Sequence, residues 1–124
     1  MAFIPAVLIT VGIAIVSLIE SPYVPQELST KDKLLHGLMY TFLAIAWMIP
    51  VDRSTQQSVF SIQLLAGIIV GISVTLYGAL MEILQHYCTV TRSGEWQDIL
   101  ADFIGAIVGV LIIILWRRLS TILH

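Results

Sequence analysis

Hydrophobic residues in this chain run in four long blocks and do not alternate with polar ones. The blocks extend from about Phe3 to Ile19, Leu34 to Val51, Ser61 to Met81 and Ile99 to Trp116. Each approaches the roughly 20 residues that cross a hydrocarbon core, the first and last being slightly short. Without period-two alternation a barrel is disfavoured, and a helix is the other way to satisfy every backbone amide in lipid. The pattern predicts an all-α integral membrane bundle of four transmembrane helices in a single domain, residues 1–124.

The polar stretches between the blocks are short. Glu20 to Lys33 forms the first, broken by Pro22 and Pro25, with Ser29 or Thr30 placed to cap the second helix. Asp52 to Phe60 forms the second, after Pro50. Glu82 to Asp98 covers the end of the third helix and the third loop, with a turn at Thr91-Arg92-Ser93-Gly94. No Lys or Arg precedes the first block and no A-x-A-type site follows it, so it reads as a retained span rather than a signal peptide.

Composition strengthens this picture. Charged residues make up 11% of the chain, against about a quarter in soluble domains, too few for a water-facing shell. The net charge of −2 gives no basic surface for nucleic acid. The single Cys88 excludes an internal disulfide and a multi-cysteine metal site. Tyr23, Trp47, Trp96 and Trp116 read as interfacial aromatics.

Parity places the charges. Loops one and three share a side, which carries Glu20, Glu27, Asp32, Glu82, Glu95, Asp98 and Asp102 against Lys31, Lys33 and Arg92. The other side carries Asp52 against Arg53, Arg117 and Arg118. Lys and Arg counts tie, but Arg117 and Arg118 adjoin the last span and favour cytoplasmic termini with the acidic face outside.

That face collects the candidate chemistry. On the second helix Lys33, His36, Gly37 and Tyr40 share one stripe; on the third, Glu82, Gln85 and His86; on the fourth, Asp98, Asp102, Gly105 and Gly109. Asp102 lies about one turn inside its apolar block, where a lipid-facing carboxylate costs a few kcal/mol. It should therefore face the bundle and find Arg92, Lys33 or His36, or carry a proton. Glu82 makes the same demand with less force, being nearer the water. Gly105 with Gly109, and Gly67 with Gly71, form small-xxx-small pairs suited to close helix packing. His36, Glu82, Gln85, Arg92, Asp98 and Asp102 read together as a functional cluster. The blander reading is a polar network that locks four helices together.

Asp32-Lys33-Leu34-Leu35-His36 with Tyr40, then Tyr77-Gly78 with Glu82-Ile83-Leu84-Gln85, then Arg92, then Asp98-Ile99-Leu100-Ala101 with Gly105 resemble, in order and position, the motifs of the VanZ-like family. Asp102 departs from that pattern, which has Asn there. The resemblance implies a multi-pass protein of the bacterial cytoplasmic membrane, in a family whose named member is associated with low-level teicoplanin resistance. It implies no settled reaction.

Three function classes follow. In the first, the chain recognises, or modifies, an anionic lipid-linked or cell-wall ligand. His36 and Glu82 would be the acid–base pair. Lys33, Tyr40, Gln85, Arg92, Asp98 and Asp102 would contact ligand, with Arg92 gripping phosphate or carboxylate by its guanidinium fork. Asp98 and Asp102 would orient the bases or hold a divalent cation, although the spacing matches no specific metal motif and no cofactor is expected. In the second, the bundle is a non-catalytic accessory or scaffold for envelope enzymes, or shields a cell-surface target. In the third it is a transporter or proton relay, motivated by Asp102 but opposed by the lack of ionisable residues deeper in any span. No serine-hydrolase elbow, phosphate-binding glycine loop or dinucleotide motif is present. The oligomeric state is left open.

Overall fold

A computed structural model describes residues 1–18, 29–55, 57–88 and 96–124, the side chains of 29–32 excepted. Four helices account for nearly all of them: α1 (Ile4–Leu18), α2 (Ser29–Ser54), α3 (Phe60–Cys88) and α4 (Trp96–Leu123). The expected all-α bundle is what forms. The residues α2 contributes from Lys33 onward, α3 and α4 are each long and apolar enough to cross a membrane. The described part of α1 has 15 residues. At 1.5 Å per residue it is about 22 Å long, short of the ~30 Å hydrocarbon core.

Apolar side chains cover the outside of the bundle. Ile68, Ile72 and Leu76 on α3 and Ile104, Leu111 and Leu115 on α4 are exposed, as lipid-facing positions should be. The buried interior is narrow and mixes Tyr40, Leu43, Ala44, Met48, Val74 and Ala106 with polar side chains. Helix α4 packs chiefly on α2 and next on α3; α1 leans on α2 and α3 and does not reach α4.

Glycine sets the α2–α4 distance. A Cβ on Gly105 would collide with the carbonyl of Gly37, and one on Gly109 would lie 2.6 Å from the Thr41 carbonyl oxygen and 2.7 Å from Ala44 Cβ. The Thr41 hydroxyl lies 2.7 Å from the Gly37 carbonyl oxygen and 3.1 Å from that of Gly105, so one donor serves the crossing. Gly67 plays a similar part on α3, where a Cβ would lie 3.0 Å from Val110 Cγ1. The packing role read for these glycines is the one they have.

Helix limits differ from the apolar blocks. Helix α2 runs through Pro50 to Ser54, so the second loop is shorter than expected. Proline removes one donor and crowds the preceding turn, but packed neighbours make that tolerable in a membrane helix. Beyond it, Thr55 N–H donates to Val51 O at 3.0 Å and closes the last turn. Helices α3 and α4 continue past their apolar blocks to Cys88 and Leu123, because polar residues at a water boundary need not end a helix. The caps expected of Ser29 or Thr30, and the turn at residues 91–94, lie outside what the structure describes.

Polar ties fix α1 and the far end. Trp47 Nε1 donates to Thr10 Oγ1 at 3.1 Å, and the Tyr77 hydroxyl donates to Thr10 O at 2.5 Å. Trp47 is half-buried and docks α1, and so is not simply an interfacial anchor. At the end opposite His36, Arg117 Nη1 meets Asp52 Oδ1 at 2.6 Å, and Arg118 sits over the Phe60 ring at 3.9 Å.

Two outcomes are expected. Gly105→Val should lower unfolding free energy by about 2 kcal/mol through overpacking, whereas Gly12→Ala, with nothing within 4 Å of the added carbon, should change it by less than about 0.5 kcal/mol; denaturant titration in mixed micelles reads both. A double-mutant cycle on Asp52→Asn and Arg117→Gln should give a coupling of about 1 kcal/mol; additivity would show that the pair does not bind α2 to α4.

Candidate functional site

Three helices deliver ionisable side chains to one place. His36 lies seven residues into α2, Glu82 six residues before the end of α3, and Asp102 six residues into α4. At 1.5 Å per residue each is about 10 Å from its helix end, and all three ends belong to the same face. The glycine crossing explains the register. Gly37 and Gly105 touch, so His36, next to Gly37, meets Asp102, one turn before Gly105.

His36 Nδ1 is 3.1 Å from Asp102 Oδ1 and 3.9 Å from Glu82 Oε1. One ligating atom from each of the three residues can be chosen so that all lie within 4.8 Å of one another. Asp102 is fully buried, Glu82 is 3% exposed, and the His36 side chain is 12% exposed. Of the partners expected for Asp102, the structure supplies His36. The expected His36–Glu82 pair is the longer contact, beyond hydrogen-bond reach. Glu82 is almost as buried as Asp102, contrary to the reading that placed it nearer water, because α3 runs six residues beyond it.

Gly78 makes room for this cluster. A Cβ there would lie 2.5 Å from Asp102 Oδ2 and 2.9 Å from Asp102 Cβ. Glycine at this position lets the carboxylate settle between α3 and α4. Sequence reading assigned Gly78 no role in the site. Its position four residues before Glu82, on the same helical face, was the available signal. Asp102 Oδ2 is buried and has no hydrogen-bond partner among the described residues.

The other candidates divide. Tyr40 is 1% exposed and its ring is parallel to that of His36 with centroids 6.4 Å apart, so it forms the apolar floor of the cluster and is closed to an outside ligand. Gln85 is 4% exposed and donates to Ser17 O at 2.8 Å, which ties α3 to α1. Asp98 is buried in the first turn of α4, where a carboxylate complements the helix dipole. Lys33 is half-buried on α2, one turn closer to the helix start than His36. Arg92 lies outside the described residues. Cys88 is a free, exposed thiol at the end of α3. His86 and Tyr87 beside it form an edge-to-face ring pair with centroids 5.0 Å apart.

The arrangement can hold an imidazole in fixed orientation, exchange a proton between it and a carboxylate, or ligate a cation. Comparison with known proteins turned up no matching curated protein and no matching solved structure. A family description, VanZ/LLP1, does match, over residues 6–117. That stretch contains all of α1 but its first two residues, all three clustered side chains and Arg117, and on this match the chain belongs to the VanZ/LLP1 family.

Proposed function

We propose that this membrane protein recognises an anionic, lipid-linked ligand of the bacterial envelope at the face where His36, Glu82 and Asp102 converge. The observation that carries the reading is the convergence itself. Three separate helices each bring one ionisable side chain to a buried point about 10 Å from the same helix ends. Burying such groups costs several kcal/mol unless they are paired, and in membrane helices they are concentrated where function requires them.

A ligand with its tail in lipid reaches this depth from the side, with its headgroup at the level of the helix ends. Lys33 on α2 and Arg92, between α3 and α4 in the sequence, supply the cationic chemistry that a phosphate or carboxylate needs, Arg92 through a two-pronged guanidinium contact. Asp102 orients the His36 ring, and the ring then has acid–base capacity next to a bound headgroup. Arg117 and Arg118 at the opposite end favour a cytoplasmic C-terminus, which puts the cluster on the outer side of the cytoplasmic membrane.

A second reading rests on the complete burial of Asp102 behind Gly78. In it the cluster locks the helices, and the bundle serves envelope enzymes as an accessory without binding a small ligand. The two readings part at His36→Ala and Arg92→Ala. Native mass spectrometry of protein released from bilayers doped with a polyprenyl phosphate should show one retained lipid per chain. Each variant should cut that retention at least tenfold at unchanged helicity and membrane abundance. Retention equal to wild type in both variants removes the ligand site; a loss of fold in both supports the lock. Orientation has its own check. Cys88 should react with a membrane-impermeant maleimide in intact spheroplasts, and labelling only after lysis would place the cluster inside.

A further inference from the structure

We propose that His36, Glu82 and Asp102 form a three-donor site for one divalent transition-metal ion of the Zn2+ or Mn2+ class, at the buried meeting point of α2, α3 and α4. The donor set is one imidazole nitrogen and two carboxylates. Imidazole suits Zn and neighbouring first-row metals, while carboxylate extends the range to Mn; an all-oxygen Ca2+ or Mg2+ site would have no use for the histidine.

The spacing agrees with a common ion. Tetrahedral ligands about 2.0–2.1 Å from Zn2+ lie about 3.4 Å from one another. Two separations, 3.1 Å from His36 Nδ1 to Asp102 Oδ1 and 3.9 Å to Glu82 Oε1, fall on either side of that value. Ligand atoms of all three residues lie within 4.8 Å of one another, so side-chain rotations without backbone movement bring three such atoms onto one ion. A second, independent observation points the same way. Asp102 is 0% exposed and, among the described residues, its Oδ2 beside Gly78 has no hydrogen-bond partner, so a wholly buried carboxylate retains acceptor capacity at the cluster. Burial of that kind is costly for a carboxylate without compensation, and a divalent ion compensates it directly.

The surroundings suit a resident ion. Tyr40 closes the floor beside the His36 ring, and Gly78 gives the Asp102 carboxylate its seat. His36 is the most exposed of the three side chains, so the ion is loaded from its side. Three protein ligands leave at least one coordination position open, the arrangement of catalytic rather than structural sites. Occupation of that position by a phosphate or carboxylate headgroup is the one part of this inference that rests on the proposed function.

The test uses the full chain, stripped with chelator and placed in nanodiscs of zwitterionic lipid. The background carries His86→Ala, Cys88→Ser and His124→Ala, which removes the exposed side chains most able to hold metal adventitiously. Equilibrium dialysis against Zn2+ or Mn2+, read by elemental mass spectrometry, should give one ion per chain. Asp102→Asn keeps the side-chain shape and should weaken binding at least tenfold, as should His36→Ala. Co2+ loaded in place of Zn2+ should give visible ligand-field absorption that Asp102→Asn abolishes. No ion above empty nanodiscs, or equal affinity in wild type and Asp102→Asn, overturns the proposal. Should His36→Ala fail to fold, Asp102→Asn decides alone. Lipid retention measured on the same chelated protein separates the two ideas: retention without metal binding removes the metal site and leaves the ligand site standing.

Discussion

Contact between Gly37 and Gly105 governs this bundle. Two helices in lipid gain little from excluding water, since the tails around them are as apolar as their own side chains. What holds α2 to α4 is close backbone approach, and that requires positions without a Cβ. From the same crossing follow the Thr41 hydrogen bond and the 3.1 Å approach of His36 to Asp102. Packing and chemistry are therefore joined at one point of the chain: the residue before one glycine and the residue one turn before the other are the pair that meets.

The bundle has two polar ends of different character. Asp52 with Arg117, and Arg118 over Phe60, form a half-exposed latch of opposite charges in contact with the water boundary. At the other end His36, Glu82 and Asp102 lie deeper, with two acids to one imidazole. A latch of the first kind contributes modestly and tolerates change. A cluster of the second kind has a large desolvation cost, which is why its residues are read as functional and those of the latch as anchoring.

Much of this was legible in the sequence. Four apolar blocks gave the helices, and the glycine pairs in the last two gave their packing faces. Asp102, a carboxylate inside an apolar run, had to turn inward, and His36 was among the partners named for it. Helix ends were less legible. Hydropathy falls where water begins, whereas a helix ends where hydrogen bonds and packing stop supporting it; α2 therefore passes Pro50 and α3 carries Glu82 deeper than its neighbouring polar residues suggested. Gln85 and Tyr40 share stripes with the clustered residues, but a stripe does not say which neighbour it faces. Gln85 turns to Ser17 of α1, and Tyr40 closes the interior. Gly78 stood in a motif but was given no role in the site, because the use of a missing side chain is visible only when the group that fills the space is known.

Helix α1 touches α2 and α3 but not α4, through Thr10 and Ser17. Those ties set an order for biosynthesis. The segment is made before its partners: Trp47 on α2 follows Thr10 by 37 residues, and Tyr77 and Gln85 on α3 follow Thr10 and Ser17 by 67 and 68. Helix α2 can dock on it first through Trp47, and α3 then completes the ties. Its Thr10 hydroxyl is already satisfied by the Ala6 carbonyl of its own turn, 2.7 Å away, so the waiting helix exposes no unsatisfied hydroxyl there to lipid. Docking then adds a bond to the second lone pair of the Thr10 carbonyl, which lies inside the helix, and gives the Ser17 carbonyl in the last turn of α1 a donor from Gln85. Helix α1 can therefore be seated on α2 and α3 before α4, which it does not touch, is made.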